Sequence, residues 1–256
     1  MEQARESTRV PARRRRKRHV VNKMRLAVSA VVLILVVELT VVALTSPLFA
    51  VKKVRVVGNK TVPSAEILRA LRLSSDSNIF LVNKQQVAAK LEGNPVINHV
   101  RLRRRLPGTL IVAVVERKPR LILETGGVLY EVDSWGVPFR VVKRLNGKLP
   151  VISCAVPGRI VLGKPIYAAA FDVARECLLL AQEKKIAGFL KITVDQNRDL
   201  CLNVRDEFQV KLGRPEQLSE KLDIAVQVRE QIPEFRQRGE YIDVATPEAP
   251  AFKLRK

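Results

Sequence analysis

Histidine is almost missing from this chain, with two in 256 residues. His19 lies in a run of arginines, and His99 alternates with basic residues without a cysteine, aspartate or second histidine nearby. A histidine metal site or a Ser-His pair therefore has little to draw on. Cysteine is scarce too. Cys154, Cys177 and Cys201 are widely spaced, odd in number and without a Cys-x-x-Cys pair, so they read as small core residues. One disulfide stays open, although Cys177 falls on a helical apolar stripe. Gly126-Gly127 lacks the Lys-Ser/Thr that a phosphate loop requires and suits a hairpin instead. The acidic stretch DQNRD, 195–199, has no glutamate placed for calcium and reads as a hairpin turn. Trp135, in DSWG, reads as a residue that packs or anchors a turn. The sequence thus points away from an enzyme, and neither a cofactor nor a small-molecule substrate is expected.

Acidic residues are also few, 25 against 46 Lys and Arg, for a formal charge of +21. Residues 1–25 carry ten basic side chains against Glu2 and Glu6, including ARRRRKRH, Ala12 to His19. This run has no interleaved aromatics and no DNA-reading fold behind it, so a specific nucleic-acid role is not expected. It reads as a solvated, disordered tail that pairs with anionic lipid on the cytoplasmic side of a membrane helix.

That helix is LAVSAVVLILVVELTVVALTS, residues 26–46, about 31 Å long and enough to cross a bilayer core. A signal peptide would be shorter and end at small residues, whereas Leu48 and Phe49 follow here. The segment is read as an uncleaved anchor that leaves residues 48–256 outside the cytoplasm. Glu38 lies near its middle, where an acid costs about 2.5–3.5 kcal/mol. Two readings stay open for it: a protonated or snorkelling side chain, and a contact with a neighbouring transmembrane helix.

Beyond the anchor, Val51, Val54 and Val56 alternate with basic residues up to a Gly58-Asn59 turn, which marks a strand. Pro63 and Ser64 open a helix with Glu66 in its first turn and Ile67, Leu68 and Leu71 on one face. Asn83 caps a second helix carrying Val87 and Leu91, and Asn94-Pro95 stops it. Val100 and Leu102 alternate with arginines, Pro107-Gly108 turns the chain, and LIVAVVE forms a strand apolar on both faces. The order is strand, helix, helix, strand, strand.

From Arg120 the pattern is mostly strand. Two apolar runs flank Gly126-Gly127, and a further turn lies at 133–136. LPVIS leads into a connection through Pro157 and Gly163. Pro165 begins a helix with Ile166, Ala170, Val173, Cys177 and Leu180 at helical spacing. Three alternating strands follow, built on Leu190, Ile192 and Val194, on Leu200, Leu202 and Val204, and on Phe208, Val210 and Leu212. They form a meander whose other face carries Lys191, Asn203, Arg205 and Lys211. GRPEQL starts a helix with Leu218, Leu222, Ala225 and Ile232 on one side, and the chain ends in YIDVATPEAPAFKLRK.

VRVVGNKTVPSAEIL, NIFLVN and NPVINHVRLRRRLPGTLIVAVVERKP, in this order behind a basic single-span N-terminus, resemble the POTRA domain of the FtsQ/DivIB cell-division proteins. Its specific pieces are the Val-Gly-Asn turn at 57–59, Arg104-x-x-Pro107 and Glu116-Arg117-x-Pro119. VKLGRPEQLSEKL and GEYIDVATPEAPAFK are similar to the β-domain of the same family, so the resemblance covers roughly residues 13–254. It implies an α+β protein: a tail at 1–25, a transmembrane helix at 26–46, a POTRA domain at 48–119 and a mixed β-domain at 120–256. That β-domain contains an antiparallel meander and a C-terminal edge strand.

The family further implies a non-catalytic divisome scaffold in the plasma (inner) membrane at the division septum. Its open sheet edge accepts a strand from single-span partners of the FtsB/FtsL type, and its work links septum formation to peptidoglycan synthesis. At matching positions the contact falls on Tyr241, Ile242, Val244 and Phe252, with Lys253 and Arg255 facing acidic partner side chains. The alternative for Tyr241, Ile242 and Val244 is that they complete the core. Two other classes remain beside the scaffold: a POTRA-type envelope chaperone, which normally continues into a membrane barrel for which this length leaves no room, and an envelope protein that binds anionic polymer.

Overall fold

The computed structural model describes residues 13–72, 77–145, 147–186, 190–204 and 208–255, with only the backbone described for 13–22 and Arg236. Helix α1 spans Arg13–Thr45. Its stretch Lys23–Thr45 is long and apolar enough to cross a membrane, and its large side chains from Met24 to Leu44 point outward. Hydrocarbon, not water, suits such a surface. The helix starts well before residue 26. Arg, Lys and Met are good helix formers, and nothing between Arg13 and Arg25 interrupts the hydrogen-bond ladder. Residues 1–12 and the His19 side chain lie outside the described residues.

A 3-10 turn, Pro47–Phe49, follows, with Ser46 Oγ accepting the N–H of Leu48 at 3.3 Å. Then come β1 (Lys53–Val57), α2 (Ser64–Leu71), α3 (Lys84–Glu92), β2 (Ile97–Arg105) and β3 (Thr109–Glu116) in the β-α-α-β-β order. The three strands form a sheet in the order β1-β3-β2. β3 buries only one face, Leu110, Val112 and Val114, while Val115 is exposed. Its second face, although apolar in sequence, therefore stays partly in solvent. Gly58 has φ +88°, and a Cβ there would stand 2.3 Å from the Val114 carbonyl oxygen. Only glycine meets both demands.

The rest is a nine-stranded mixed sheet. Its strands are β4 (Leu121–Thr125), β5 (Val128–Val132), β6 (Pro138–Val142), β7 (Val151–Ser153), β8 (Leu190–Val194), β9 (Leu200–Val204), β10 (Gln209–Gly213), β11 (Gly239–Asp243) and β12 (Ala251–Leu254). Its order is β12-β11-β10-β9-β8-β7-β4-β5-β6. The hairpin at Gly126-Gly127 pairs β4 with β5, and β8, β9 and β10 form the antiparallel meander. Asp195 Oδ1 accepts the N–H groups of Asn197 and Asp199, both at 2.8 Å, which shapes the β8–β9 hairpin.

Helices α4 (Ala169–Glu183), α5 (Leu218–Gln231) and α6 (Pro233–Arg238) pack on the sheet through one core. α4 starts later than Pro165 and rotates its stripe: Phe171, Ala174, Cys177, Leu178 and Ala181 are buried, while Ala170, Val173 and Leu180 flank them. Each large side chain buried there contributes about 2 kcal/mol. The single helix expected after GRPEQL is broken by Pro233, which cannot continue the ladder. The opposite sheet face carries Lys191, Asn203 and Lys211, and Arg205 lies outside the described residues. Cys154, Cys177 and Cys201 are free, and burial pushes the first two thiols to about 11 and about 12.

By contact, the chain divides into a unit of residues 1–55, 72–84 and 102–112 and a unit of 56–71, 85–101 and 113–256.

Candidate functional site

The break at Pro233 places a short helix before the last two strands. Gly239, where β11 begins, lies so close to α6 that a Cβ would meet Phe235 at 2.6 Å. This close approach lets β11 run parallel beside β10, with Val210 opposite Ile242. β11 is therefore internal to the sheet, held between β10 and β12. Its Ile242 and Val244 are fully buried in the core. They form the floor of the region and offer no side-chain surface.

β12 is the last strand of the sheet, antiparallel to β11, and pairs Tyr241 with Lys253, Ile242 with Phe252 and Asp243 with Ala251. Its far side carries no neighbouring strand among the described residues. Alternation gives β12 two unlike faces. On the core side, Phe252 is exposed while Leu254 packs partly against the core. The Phe252 ring meets Phe235 edge-on at 6.1 Å, and Phe235 meets Phe208 at 5.2 Å, so Phe252 ends a buried aromatic row.

The other face carries Lys211 and Lys253, with Asp243 in register opposite Lys211. Tyr241 is half-buried, with Lys211 Nζ 3.9 Å and Lys253 Nζ 5.9 Å from its ring centre. Lys253 also lies 2.9 Å from Glu240, whose carboxylate raises the lysine's pKa. Arg255 is exposed and donates its backbone N–H to the Arg238 carbonyl, while Arg238 Nη2 donates to the Arg255 carbonyl at 2.9 Å. Tyr241, Phe252, Lys253 and Arg255 thus come together at one edge.

The sheet's opposite edge is closed differently. β6 begins with Pro138, which has no N–H to offer, and the Pro138 carbonyl accepts the N–H of Gly163 at 2.8 Å.

The sequence reading missed Phe235, Phe208, Lys211 and Glu240 as parts of this edge. Phe235 had one signal, its position four residues before a glycine in PEFRQRG. It also missed a partner for His99, whose Nδ1 lies 3.0 Å from Glu92 Oε1. Trp135 does not pack: its ring is exposed, and the turn is held by Asp133 Oδ1, which accepts the N–H groups of Trp135 and Val137 at 2.8 and 3.0 Å. Glu38 is exposed on α1, where lipid or another helix could reach it.

Two surface clefts stand out, one of them beside the inner end of the aromatic row. One, of 160 Å³, is lined by Ile186, Phe208, Val210 and Ala225 with lysines at its rim; the other, of 360 Å³, opens over Gly126-Gly127 and Cys154. Among the described residues, no three His, Cys, Asp or Glu side chains are grouped to hold a metal ion.

Two family models match the chain. Residues 49–117 match the POTRA domain, FtsQ-type, and residues 121–245 match the FtsQ/DivIB cell division protein C-terminal model. The second match ends before β12. The chain is 27% identical to a cell division protein DivIB of Clostridium acetobutylicum over 224 residues, 85% of this chain and 88% of the relative. It is 26% identical to a cell division protein FtsQ of Syntrophotalea carbinolica over 191 residues, 69% and 67% of the two chains. A DivIB of Bacillus subtilis is 28% identical over 106 residues, 41% of this chain and 40% of that one.

Proposed function

Because the chain belongs to the FtsQ/DivIB family of cell-division proteins, we propose that it is a non-catalytic, single-span scaffold of the divisome whose edge strand β12 accepts a strand from a partner. The partners are single-span division proteins of the FtsB/FtsL type. The basic residues around Arg13 to Arg25 stay in the cytoplasm against anionic lipid, and the folded part stands on the other side of the membrane.

The observation that carries this reading is the contrast between the two sheet edges. β6 is blocked at its first residue by a proline whose carbonyl is bonded to Gly163, whereas β12 is open along its described length and two-faced. A strand added there satisfies backbone groups that otherwise need water and sets its alternate side chains against two surfaces. Its apolar residues extend the row that Phe252 ends, and its acidic residues face Lys253, Lys211 and Arg255. Ile242 and Val244 act from below, by holding β11 flat.

The test is the position of a fluorescent fusion in dividing cells at native expression. The full chain is expected to form a midcell band. A version lacking residues 251–256 loses Leu254 and Phe252 from the margin of the core but keeps Ile242 and Val244; the expected result is a folded protein, checked by its unfolding transition, that no longer brings its partners to midcell. An even envelope signal from the full chain would refute the division role, and normal partner recruitment by the shortened chain would refute the edge.

A further inference from the structure

The first unit leaves four large apolar side chains exposed beyond its helix: Leu48 at 53%, Phe80 at 36%, Leu81 at 67% and Leu106 at 55%. Strand addition at β12 uses none of them. All four are tied to the few residues that follow α1. The Phe80 ring lies 5.2 Å from that of Phe49, and the N–H of Ile79 donates to the Phe49 carbonyl at 2.8 Å. Arg104 Nη2 donates to the carbonyls of Phe80 and Val82 at 3.0 and 2.9 Å. On the other side, the N–H groups of Lys52 and Lys53 donate to the Gly108 carbonyl at 2.9 and 3.1 Å, which holds the turn containing Leu106.

Asn78 fixes this cluster to the helix itself. Its Nδ2 donates to the carbonyls of Ala43 and Leu44 at 2.9 and 3.0 Å, satisfying two of the acceptors that a helix end leaves open. Loop 78–82 is therefore held at the level where α1 leaves its apolar stretch. The surroundings are basic. Lys52, Lys53, Lys84, Arg103 and Arg105 are exposed, and the one acidic residue of this unit beyond the helix, Asp76, lies outside the described residues. Apolar tips ringed by Lys and Arg fit a lipid surface better than a protein, because the centre of a protein interface is poor in lysine.

We propose that Leu48, Phe80, Leu81 and Leu106 rest in the interfacial layer of an anionic bilayer where α1 exits, with Lys84, Arg103 and Arg105 paired to lipid phosphate. The inference rests on α1 spanning the membrane. It gives this unit a second hold on the bilayer and fixes its tilt relative to the helix.

The test uses the full chain in vesicles of phosphatidylglycerol and phosphatidylethanolamine with brominated acyl chains, which quench nearby tryptophan. Trp135→Phe removes the chain's one tryptophan, and Leu81→Trp, Leu106→Trp or Val36→Trp then adds a single probe. Leu81→Trp and Leu106→Trp are expected to be quenched at least threefold more than free N-acetyltryptophanamide in the same vesicles. In phosphatidylcholine vesicles, or with Arg103→Gln and Arg105→Gln added, that quenching should fall by half or more. If Val36→Trp is quenched but Leu81→Trp matches the free standard, the inference fails while the span stands; this is also the result if the patch serves a protein, since the vesicles hold no other. If Val36→Trp is not quenched, the span itself fails and takes the inference with it. Equal quenching in neutral and anionic vesicles would overturn the preference for an anionic bilayer.

Discussion

Arg117 donates from Nη1 to Asp133 Oδ2 across 2.6 Å, and the two side chains are only 13% and 5% exposed. Arg117 also donates from Nε to the Pro95 carbonyl at 3.1 Å, and Asp133 holds its own turn through two N–H groups. The pair joins the end of β3 to the β5–β6 turn. Arg117→Met leaves a buried carboxylate with its main counter-charge gone and should cost about 3 kcal/mol. Arg117→Met with Asp133→Asn should recover at least half of that, because the charge is removed while the turn keeps an oxygen acceptor. Denaturant unfolding of the chain in detergent measures both; a loss under about 1 kcal/mol for the single variant would make the pair incidental.

Glu116 sits one residue earlier, and its carboxylate accepts three successive N–H groups, from Lys60 at 2.7 Å, Thr61 at 2.9 Å and Val62 at 3.0 Å. Burial raises its pKa, but the donors from Val62, Lys60 and Thr61 together outweigh it, so the value lies below the ordinary 4.5. A carboxyl depressed in the folded state stabilises fully above its unfolded value, and that stability is lost as pH falls through the folded one. Glu116→Gln should therefore lower stability by about 1 kcal/mol at neutral pH, a small figure because the site is partly solvated. The gap between wild type and variant should shrink below about pH 4.5. A gap that stays constant to pH 2 would show that the charge is irrelevant there.

Much of this is legible in the amino-acid sequence. The 26–46 run, Gly58-Asn59, Gly126-Gly127 and the three alternating strands from Leu190 to Leu212 carry local signals of period or turn chemistry, and each forms the expected element. The helix start at Arg13 was not legible, because a basic run reads alike as tail or as helix. The candidate edge was half legible. The alternation of Tyr241, Ile242 and Val244 marks a strand, but no local pattern says whether a strand is internal or last in its sheet. That depends on the parallel pairing of β11 with β10 and on a Gly239 small enough to pass Phe235. Joints such as Arg117 with Asp133 and Asn78 with the carbonyls of α1 are long-range, and sequence spacing does not encode them.

Glu38 remains on an otherwise apolar, outward-facing stretch of α1. An acid in hydrocarbon costs about 2.5–3.5 kcal/mol; a protonated or snorkelling side chain bears that cost alone, a contact with another transmembrane helix offsets it, and on the second reading a substitution has a definite outcome. Glu38→Leu should leave insertion intact and cut the association signal in a membrane two-hybrid assay several-fold. Glu38→Gln, which can still hydrogen-bond, should keep most of it. An unchanged signal in Glu38→Leu removes the idea.

Phe252 decides whether the open edge is a binding surface or merely the place where the sheet stops. In the free protein its ring covers one side of Phe235 and is otherwise exposed, so truncation should cost little stability, under about 1 kcal/mol. In a complex formed by strand addition the same ring gains a cross-strand neighbour on its outer side and loses exposure. Phe252→Ala should then weaken binding of an FtsB/FtsL-type segment by about 2 kcal/mol, roughly thirtyfold in Kd. Lys253→Glu reverses the charge of the other face. It should weaken the same complex and be partly rescued by changing the facing acid of the partner to lysine, a rescue that a general loss of folding could not produce. Titration calorimetry with the full chain and the partner segment reads both effects. A Kd unmoved by Phe252→Ala would overturn the use of this ring as the apolar contact of an added strand.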